Sequence, residues 1–195
     1  MANFDLTLAS QSPRRREILS QIGVRYRVQS ADIEERHTAQ ESPEQYVVRL
    51  AGSKAQVVAE RLPEVPVLGA DTIGVCQGQI LEKPLSPEHA KAMLLAMSNT
   101  THQVISGVAL VHEGRLETAV SITDVRFRQL TEAEIDEYWH TAEPQDKSGG
   151  YAIQGLGAVF VQSISGSYSN VVGLPIESLV PLLHSFAVPI WHPAP

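Results

Sequence analysis

Hydrophobic and polar positions follow two different periods along the chain, and this predicts a mixture of helices and strands. Apolar positions recur at helical spacing after two capped starts, Ser42-Pro43 and Ser86-Pro87. The segments from His102 to His112 and from Leu116 to Phe127 are instead strand-like and are joined by a turn at Glu113-Gly114. Because helix and strand signals alternate from end to end, the sequence predicts an α/β fold.

The other predicted elements are short. They are a strand at Asp5–Ala9, a helix from Pro13 to about Ile22, a buried strand at Val65–Ala70, a hairpin of Ile73–Cys76 and Gln79–Leu81, a capped helix from Thr131 to about His140, a strand at Ala158–Ile164 and a helix at Ile176–Ser185 that Pro181 is expected to shorten or kink. The segment from Pro189 to Pro195 is predicted to be irregular.

Composition and charge narrow the function classes. The chain has 195 residues, of which 43% are apolar and 19% charged, so it can bury an ordinary core. One cysteine, Cys76, excludes an intramolecular disulfide framework and a cysteine-based zinc site. The net charge of −7 argues against nonspecific nucleic-acid binding. With no apolar run of about 20 residues and no signal-like leader, we expect a soluble cytoplasmic protein that contacts no membrane.

The first candidate for chemistry is the segment from Ser10 to Arg16. It joins a strand end to a helix start at Pro13 and carries two serines and three arginines. Free N–H groups at a helix start and arginine side chains both favour a phosphate group. An equally weighted interpretation is a surface helix with solvated arginines.

Two further candidates are charged residues in apolar surroundings. Lys54 lies in the apolar stripe of its helix, where an ammonium is costly unless it meets an anion or reaches water along its flexible stem. Asp71 ends a buried strand, a usual position for metal binding or general-base work, although aspartates also cap turns. Glu35, in an acidic loop, could share a metal with Asp71 or be merely solvated.

Two later segments carry weaker signals. Pro84 forces Lys83 into an extended conformation that could aim its ammonium across a cleft. The glycines of the segment from Asp146 to Gly155 permit close approach to a ligand, and the amide of Gln154 could read the edge of a base. The alternative for this second segment is a surface loop that leads into a strand.

The order of these segments resembles the Maf family of nucleotide pyrophosphatases. The resemblance extends from Leu6 to about Leu183. It rests on Leu8–Arg15, Lys54-Ala55, Gly69–Thr72, Lys83-Pro84, Asp146–Tyr151 and Gly166–Pro175.

This resemblance implies a fold and a reaction. The expected fold is a single α/β domain, residues 1–195, with a long bent mixed β-sheet flanked by helices and two lobes around a cleft, as in inosine triphosphate pyrophosphatases. The expected reaction converts a nucleoside triphosphate to the monophosphate and pyrophosphate with a divalent cation, Mg²⁺ or Mn²⁺. The segment Tyr151–Gly155 is similar to the branch that acts on dTTP and UTP. The alternatives are another specificity, such as 7-methyl-GTP, and a nucleotide-binding regulator of cell division with little turnover; homodimers are common in the family.

The resemblance also implies residue roles. Asp71 would be the proton acceptor, and Glu35 and Asp71 would contact the metal. Phosphate binding would fall to Ser10, Arg14, Arg15, Lys54 and Lys83, and base choice to Arg14, Thr72 and Gln154. Glu82 departs from the pattern, because the family usually has glycine before Lys-Pro.

Overall fold

The computed structural model describes residues 4–38 and 40–192, which form seven strands and six α-helices. The strands are β1 (Leu6–Leu8), β2 (Tyr26–Val28), β3 (Val67–Cys76), β4 (Gln79–Leu81), β5 (Thr101–His112), β6 (Arg115–Phe127) and β7 (Val161–Ser165). The helices are α1 (Pro13–Gln21), α2 (Pro43–Ala59), α3 (Pro87–Met97), α4 (Glu132–Trp139), α5 (Tyr168–Val172) and α6 (Ile176–Ser185).

The strands form one mixed sheet in the order β2-β1-β3-β5-β6-β7, with β4 paired to β3. Strand β1 is parallel to both β2 and β3, whereas the β3–β4 and β6–β7 pairs are antiparallel. Since the sheet is mixed and helices alternate with its strands, the α/β fold class predicted from the sequence is confirmed.

The chain divides into two compact units, with three boundaries inside the three longest strands and a fourth directly after α5. Unit 1 takes its described residues from the segments 1–71, 106–121 and 173–195. Unit 2 consists of residues 72–105 and 122–172. The two lobes around a cleft that the resemblance implies stay a prediction. No helix among residues 4–38 and 40–192 is long and apolar enough to cross a membrane.

Unit 1 is built around helix α2 and strand β3. A capping box begins α2, because the Ser42 hydroxyl accepts from the Gln45 N–H while the Gln45 side chain accepts from the Ser42 N–H. Small side chains on α2, including Ala51 and Ala55, pack with Val67 of β3. This close packing brings the middle of α2 against the first half of β3, which belongs to unit 1 as far as Asp71.

Unit 2 has a core rich in aromatic rings. Phe127 makes edge-on contacts with His102 and Tyr151, and Phe160 makes one with Tyr138. The His102 Nε2 atom lies 2.8 Å from the Tyr151 hydroxyl, and burial lowers the pKa of His102 to about 4. The imidazole is therefore neutral near pH 7 and acts as a core side chain.

Three sequence predictions were wrong in detail. The strands predicted at Val65–Ala70 and Ile73–Cys76 are one strand, β3, because the polar residue Asp71 between them is paired inside the protein instead of forming a turn. The predicted strand at Ala158–Ile164 begins only at Val161, after a 3₁₀ helix at Leu156–Phe160. Pro181 lies within α6, which nevertheless runs its full predicted length.

Two short elements were not predicted from the sequence, and the predicted irregular tail makes hydrogen bonds to the loop after α1. Strand β2 and helix α5 have only three and five residues, too few for a periodic signal. In the predicted irregular tail, the N–H groups of Trp191 and His192 donate to the carbonyls of Ile22 and Gly23. Residues 193–195 of that tail lie outside the described residues.

Two glycine substitutions are expected to have opposite effects on stability. A Cβ atom at Gly69 would lie 2.0 Å from the Ala51 carbonyl oxygen, so Gly69→Ala must push β3 away from α2. We expect this overpacking to lower the free energy of unfolding by about 1–3 kcal/mol. A Cβ atom at Gly52, inside α2, would meet no heavy atom within 4 Å beyond its own stretch of helix backbone. Gly52→Ala should therefore raise that free energy by about 0.5–1 kcal/mol.

Urea unfolding of both variants beside the unmodified protein checks this prediction. Equal stabilities of the two variants would contradict the close α2–β3 packing.

Candidate active site

The start of helix α1 carries the predicted phosphate-binding segment. Pro13 occupies the first turn, and the Ser12 N–H donates to the Ser10 hydroxyl at 3.2 Å. Arg15 is anchored on both sides of its guanidinium: one N–H donates to the Ser10 hydroxyl at 3.1 Å and Nε–H donates to the Gly173 carbonyl at 2.9 Å. Two of the predicted phosphate-binding residues, Ser10 and Arg15, are therefore in direct contact.

The three arginines of this segment have different environments. Burial lowers the pKa of Arg15, while Asp71 raises it and Arg14 lowers it. The guanidinium still remains protonated at neutral pH, because an arginine starts above 12. Arg14 is half-buried and Arg16 is exposed, so the three arginines point into different surroundings, as their successive helical positions require.

Lys54 and Asp71 form a buried ion pair. Each residue is 7% exposed, and the Lys54 Nζ atom lies 2.7 Å from Asp71 Oδ1. The same Nζ lies 2.7 Å from Oε1 of Glu35, whose side chain is half-exposed. Of the two alternatives that the sequence left open for Lys54, an anion or access to water, the structure shows the first, with two carboxylates on the ammonium. Two predicted site residues, Glu35 and Asp71, thus lie within bonding distance of the ammonium of a third, Lys54.

The environment of Asp71 makes it a stronger base than an ordinary carboxylate. Burial raises its pKa, and Lys54 and Arg15 only partly offset that rise. A carboxylate with a raised pKa accepts a proton from water more readily than a solvent-exposed one. Because it is also held by a hydrogen bond to Lys54, its oxygens have a fixed direction.

The oxygen donors of Glu35 and Asp71 fit a divalent cation of the magnesium type. Such a cation is usually held by one or two carboxylates together with the phosphates of a substrate. Both carboxylates already converge on one positive charge, the ammonium of Lys54. Within the part of the chain that the structure describes, no three His, Cys, Asp or Glu side chains are grouped as metal ligands. The two carboxylates therefore suit a cation that also binds substrate oxygens, and not a closed structural site.

The loop that carries Glu35 is tied to helix α2 by an arginine that sequence reasoning missed. Arg49 donates to both carboxylate oxygens of Glu41 at 2.6 and 2.7 Å and to the Arg36 carbonyl at 3.0 Å. Arg36 follows Glu35 directly. The signal in the sequence was an arginine five residues before Lys54 on the same helix, but arginines on helices are too common for this to decide anything.

In unit 2, Lys83 lies beside the predicted glycine-rich loop. The Gly149 N–H donates to the Glu82 carbonyl at 3.1 Å. Gly149 and Gly150 have φ values of +77° and +70°, which side chains rarely adopt, so both positions require glycine. Lys83 is exposed, and Glu82 is exposed as well, so the unusual glutamate is solvated.

The residues assigned to base choice in unit 2 differ in exposure. Gln154 is exposed, whereas its neighbour Ile153 is buried and its neighbour Gly155 is partly buried. Thr72 is half-buried next to Asp71. Sequence reasoning missed Tyr138 and Glu143, which hold the backbone on both sides of Gln154. The sequence offered one signal for Glu143, its place before Pro144 and the glycine-rich segment, and no signal for Tyr138.

Comparison with known proteins adds to this geometry. Residues 5–186 match the family described as Maf-like protein. A dTTP/UTP pyrophosphatase of Saccharophagus degradans is 52% identical over 191 residues, covering 96% of this chain and 91% of that protein. The dTTP/UTP pyrophosphatase of Shigella sonnei is 50% identical over 182 residues (93% and 92%), and that of Alkalilimnicola ehrlichii is 48% identical over 187 residues (93% and 92%).

The match includes the segments that carry the candidate residues, from Ser10 to Gln154, and it extends over nearly all of the described fold. With a match of this extent, the chain belongs to the Maf-like protein family.

Proposed function

We propose that this protein hydrolyses dTTP and UTP to the nucleoside monophosphate and pyrophosphate. The observation that carries the proposal is the buried pair of Lys54 and Asp71, with Glu35 on the same ammonium. Such an arrangement holds a base of raised pKa next to positive charge, as hydrolysis of a phosphoanhydride requires. Several relatives named dTTP/UTP pyrophosphatase support the substrate class.

In the proposed reaction, Asp71 accepts a proton from the water that attacks the α-phosphorus. The bond from that phosphorus to the bridging oxygen breaks, and pyrophosphate leaves. Lys54 holds the Asp71 carboxylate in position and offsets the negative charge that develops on the phosphate. Phosphate binding is assigned to Ser10, Arg14, Arg15, Lys54 and Lys83, and Arg15 is already oriented by its bonds to Ser10 and Gly173.

The proposal includes a divalent cation, Mg²⁺ or Mn²⁺, held by Glu35 and Asp71. When bound, the cation would supply Lewis-acid stabilisation of the phosphate oxygens. Both carboxylates bond the ammonium of Lys54, so the residues that would hold the cation lie beside a residue assigned to phosphate binding.

Base choice is assigned to Gln154 together with Arg14 and Thr72. Thymine and uracil present an N–H donor between two carbonyl acceptors. The amide of Gln154 offers a donor and an acceptor and can pair with that edge, whereas a glutamate offers acceptors only. The methyl group of thymine is worth only about 1–3 kcal/mol, so one site can accept both bases.

The finer assignments are part of the same proposal. We place the enzyme in the cytoplasm, with a nucleotide as its partner and no nucleic acid; the net charge of −7 supports the latter. A homodimer is compatible with the proposal but is not needed for it.

Product analysis with separate nucleotides tests the proposal. The purified protein with Mg²⁺ or Mn²⁺ should release pyrophosphate, not orthophosphate, from dTTP and UTP, and little from CTP, dGTP or 7-methyl-GTP. Release mainly from 7-methyl-GTP would keep the reaction and overturn the specificity. Nucleotide binding without any release would favour the regulatory alternative.

Gln154→Glu is expected to lower kcat/KM for dTTP and UTP by about 10- to 100-fold, because a carboxylate leaves the carbonyl acceptors of the base without a donor. Steady-state kinetics measure the change. Gln145→Glu is the matched control, since Gln145 is also exposed and lies in the 3₁₀ helix Glu143–Asp146. An equal loss in both variants would refute the role of Gln154.

A further inference from the structure

The carboxylate of Glu143 is the centre of a hydrogen-bond network around the loop 152–157, which contains Gln154. Its Oε1 atom accepts from the Tyr138 hydroxyl at 2.7 Å and from the Gly157 N–H at 2.8 Å. Its Oε2 atom accepts from the Leu156 N–H at 2.9 Å. One side chain thus satisfies two backbone donors directly after the Gln154 turn.

Tyr138 holds the other side of the same turn. Its hydroxyl accepts from the Ala152 N–H at 3.3 Å while it donates to Glu143. The turn is closed by the Gly155 N–H, which donates to the Ala152 carbonyl at 3.2 Å. Gln154 therefore lies in a turn whose two ends are both bonded to the Tyr138–Glu143 pair.

The packing leaves this turn little freedom. A Cβ atom at Gly155 would lie 2.1 Å from Glu143 Oε2, and one at Gly157 would lie 2.6 Å from the Tyr138 hydroxyl. Both glycines have φ values that other residues can adopt, so the close approach of Glu143 and Tyr138 is what requires glycine here.

The charge state of the pair suits this role. Burial raises the pKa of Glu143, but the hydrogen bonds from Tyr138, Gly157 and Leu156 outweigh burial and lower it. Burial and the neighbouring Glu143 raise the pKa of Tyr138, so its hydroxyl keeps the proton that it donates. Hydrogen bonds to an ionised carboxylate are stronger than those between neutral groups.

We propose that Glu143 and Tyr138 are positioning residues that fix the amide of Gln154 and thereby set the choice of base. Neither residue is assigned contact with the substrate; both act through the backbone of the turn. This inference rests on the proposed function for the role of Gln154, and it adds the residues that give the amide its direction.

Binding of uncleavable analogues tests the inference without depending on turnover. We would measure the dissociation constants of α,β-methylene UTP and α,β-methylene CTP, which differ at the edge that Gln154 would read. Glu143→Gln keeps the side-chain shape but replaces one acceptor oxygen with a donor, leaving a backbone N–H without its partner. We expect it to weaken UTP-analogue binding about tenfold and to reduce the UTP-to-CTP preference by a similar factor.

A double-variant cycle separates positioning from general structural support. In a Gln154→Ala background, Glu143→Gln should change UTP-analogue affinity by less than about twofold, because residues that act through one another are not additive. Glu137→Gln is the control, since Glu137 is an exposed glutamate on the same helix as Tyr138. If Glu143→Gln does not fold, Tyr138→Phe removes only the hydroxyl and should reduce the preference about threefold.

Each outcome bears on one claim. An unchanged preference in the folded variant, or an effect that is as large in the Gln154→Ala background, would overturn the positioning role. Equal binding of both analogues by the unmodified protein would overturn it too. A protein that binds the UTP analogue selectively but turns over no nucleotide would refute the proposed function and leave the positioning role standing.

Discussion

Asp71→Asn is expected to lower kcat for dTTP and UTP by about 10³-fold, the size of effect that a lost general base has in other enzymes. Asparagine keeps the shape of Asp71 but cannot accept the proton of the attacking water. Its amide would still occupy the place beside Lys54 Nζ, where the carboxylate lies at 2.7 Å. Steady-state assays of pyrophosphate release would measure the loss.

Nucleotide binding provides the control for this prediction. The phosphate-binding groups assigned to Ser10, Arg15 and Lys54 remain in the variant, so affinity for α,β-methylene UTP should fall by less than about tenfold even where a cation contact is weakened. Asp136→Asn is the matched variant, because Asp136 is an exposed aspartate bonded to Lys91, and its activity should be unchanged. Full activity of the Asp71 variant would contradict the assignment of Asp71 as proton acceptor.

Lys54→Met is expected to lower the free energy of unfolding by about 3–5 kcal/mol, because it removes the ammonium that bonds a buried carboxylate. Methionine fills much of the space of the lysine stem, so the loss reports mainly on the charge of Asp71. Lys54 and Asp71 are each only 7% exposed, which keeps water from replacing the missing partner. Urea unfolding at neutral pH gives the change.

A surface pair and a double variant make this measurement specific. Lys91 bonds Glu132 and Asp136 at a more exposed position, so Lys91→Met should lower the free energy of unfolding far less than Lys54→Met does. The double variant Lys54→Met/Asp71→Asn should be more stable than Lys54→Met alone, because it carries no unpaired buried charge. Equal losses for Lys54→Met and Lys91→Met would show that the buried pair has no special energetic role.

The part of the fold that could be predicted is the part encoded locally. The capping boxes at Ser42 and Thr131 mark the starts of α2 and α4, and both are present in the structure. The turn at Glu113-Gly114 lies where the sequence predicts it, since both residues adopt positive φ values. These signals need only neighbouring residues and so can be read from one sequence.

What could not be predicted depends on contacts between distant residues. The polar pair Asp71-Thr72 looks like a break between strands, but β3 continues through it, and the Asp71 carboxylate bonds the ammonium of Lys54, 17 residues earlier. The carboxylate of Glu143 similarly satisfies the N–H groups of Leu156 and Gly157, which permits a 3₁₀ helix where the apolar pattern predicts a strand. Hydrophobic periodicity carries no information about such pairings.

Some features of the candidate site could likewise be predicted from the sequence, and others depend on contacts between distant residues. The position of Lys54 in an apolar stripe leaves its ammonium either an anion or access to water, and the structure identifies two anions, Asp71 and Glu35. The roles of Ser10, Arg14, Lys83 and Gln154 come instead from resemblance to the family and stay predictions. The supports of Glu35 and Gln154, supplied by Arg49 and Glu143, become visible only in three dimensions.

The measurement that tests the central claim most directly is hydrolysis of dTTP in water enriched in ¹⁸O, followed by mass spectrometry of both products. Attack of water at the α-phosphorus predicts one ¹⁸O atom in the monophosphate and none in pyrophosphate. The same experiment with Asp71→Asn should give the same labelling at a much lower rate. Label in the pyrophosphate would place the attack at the β-phosphorus and contradict the account, and release of orthophosphate would contradict it as well.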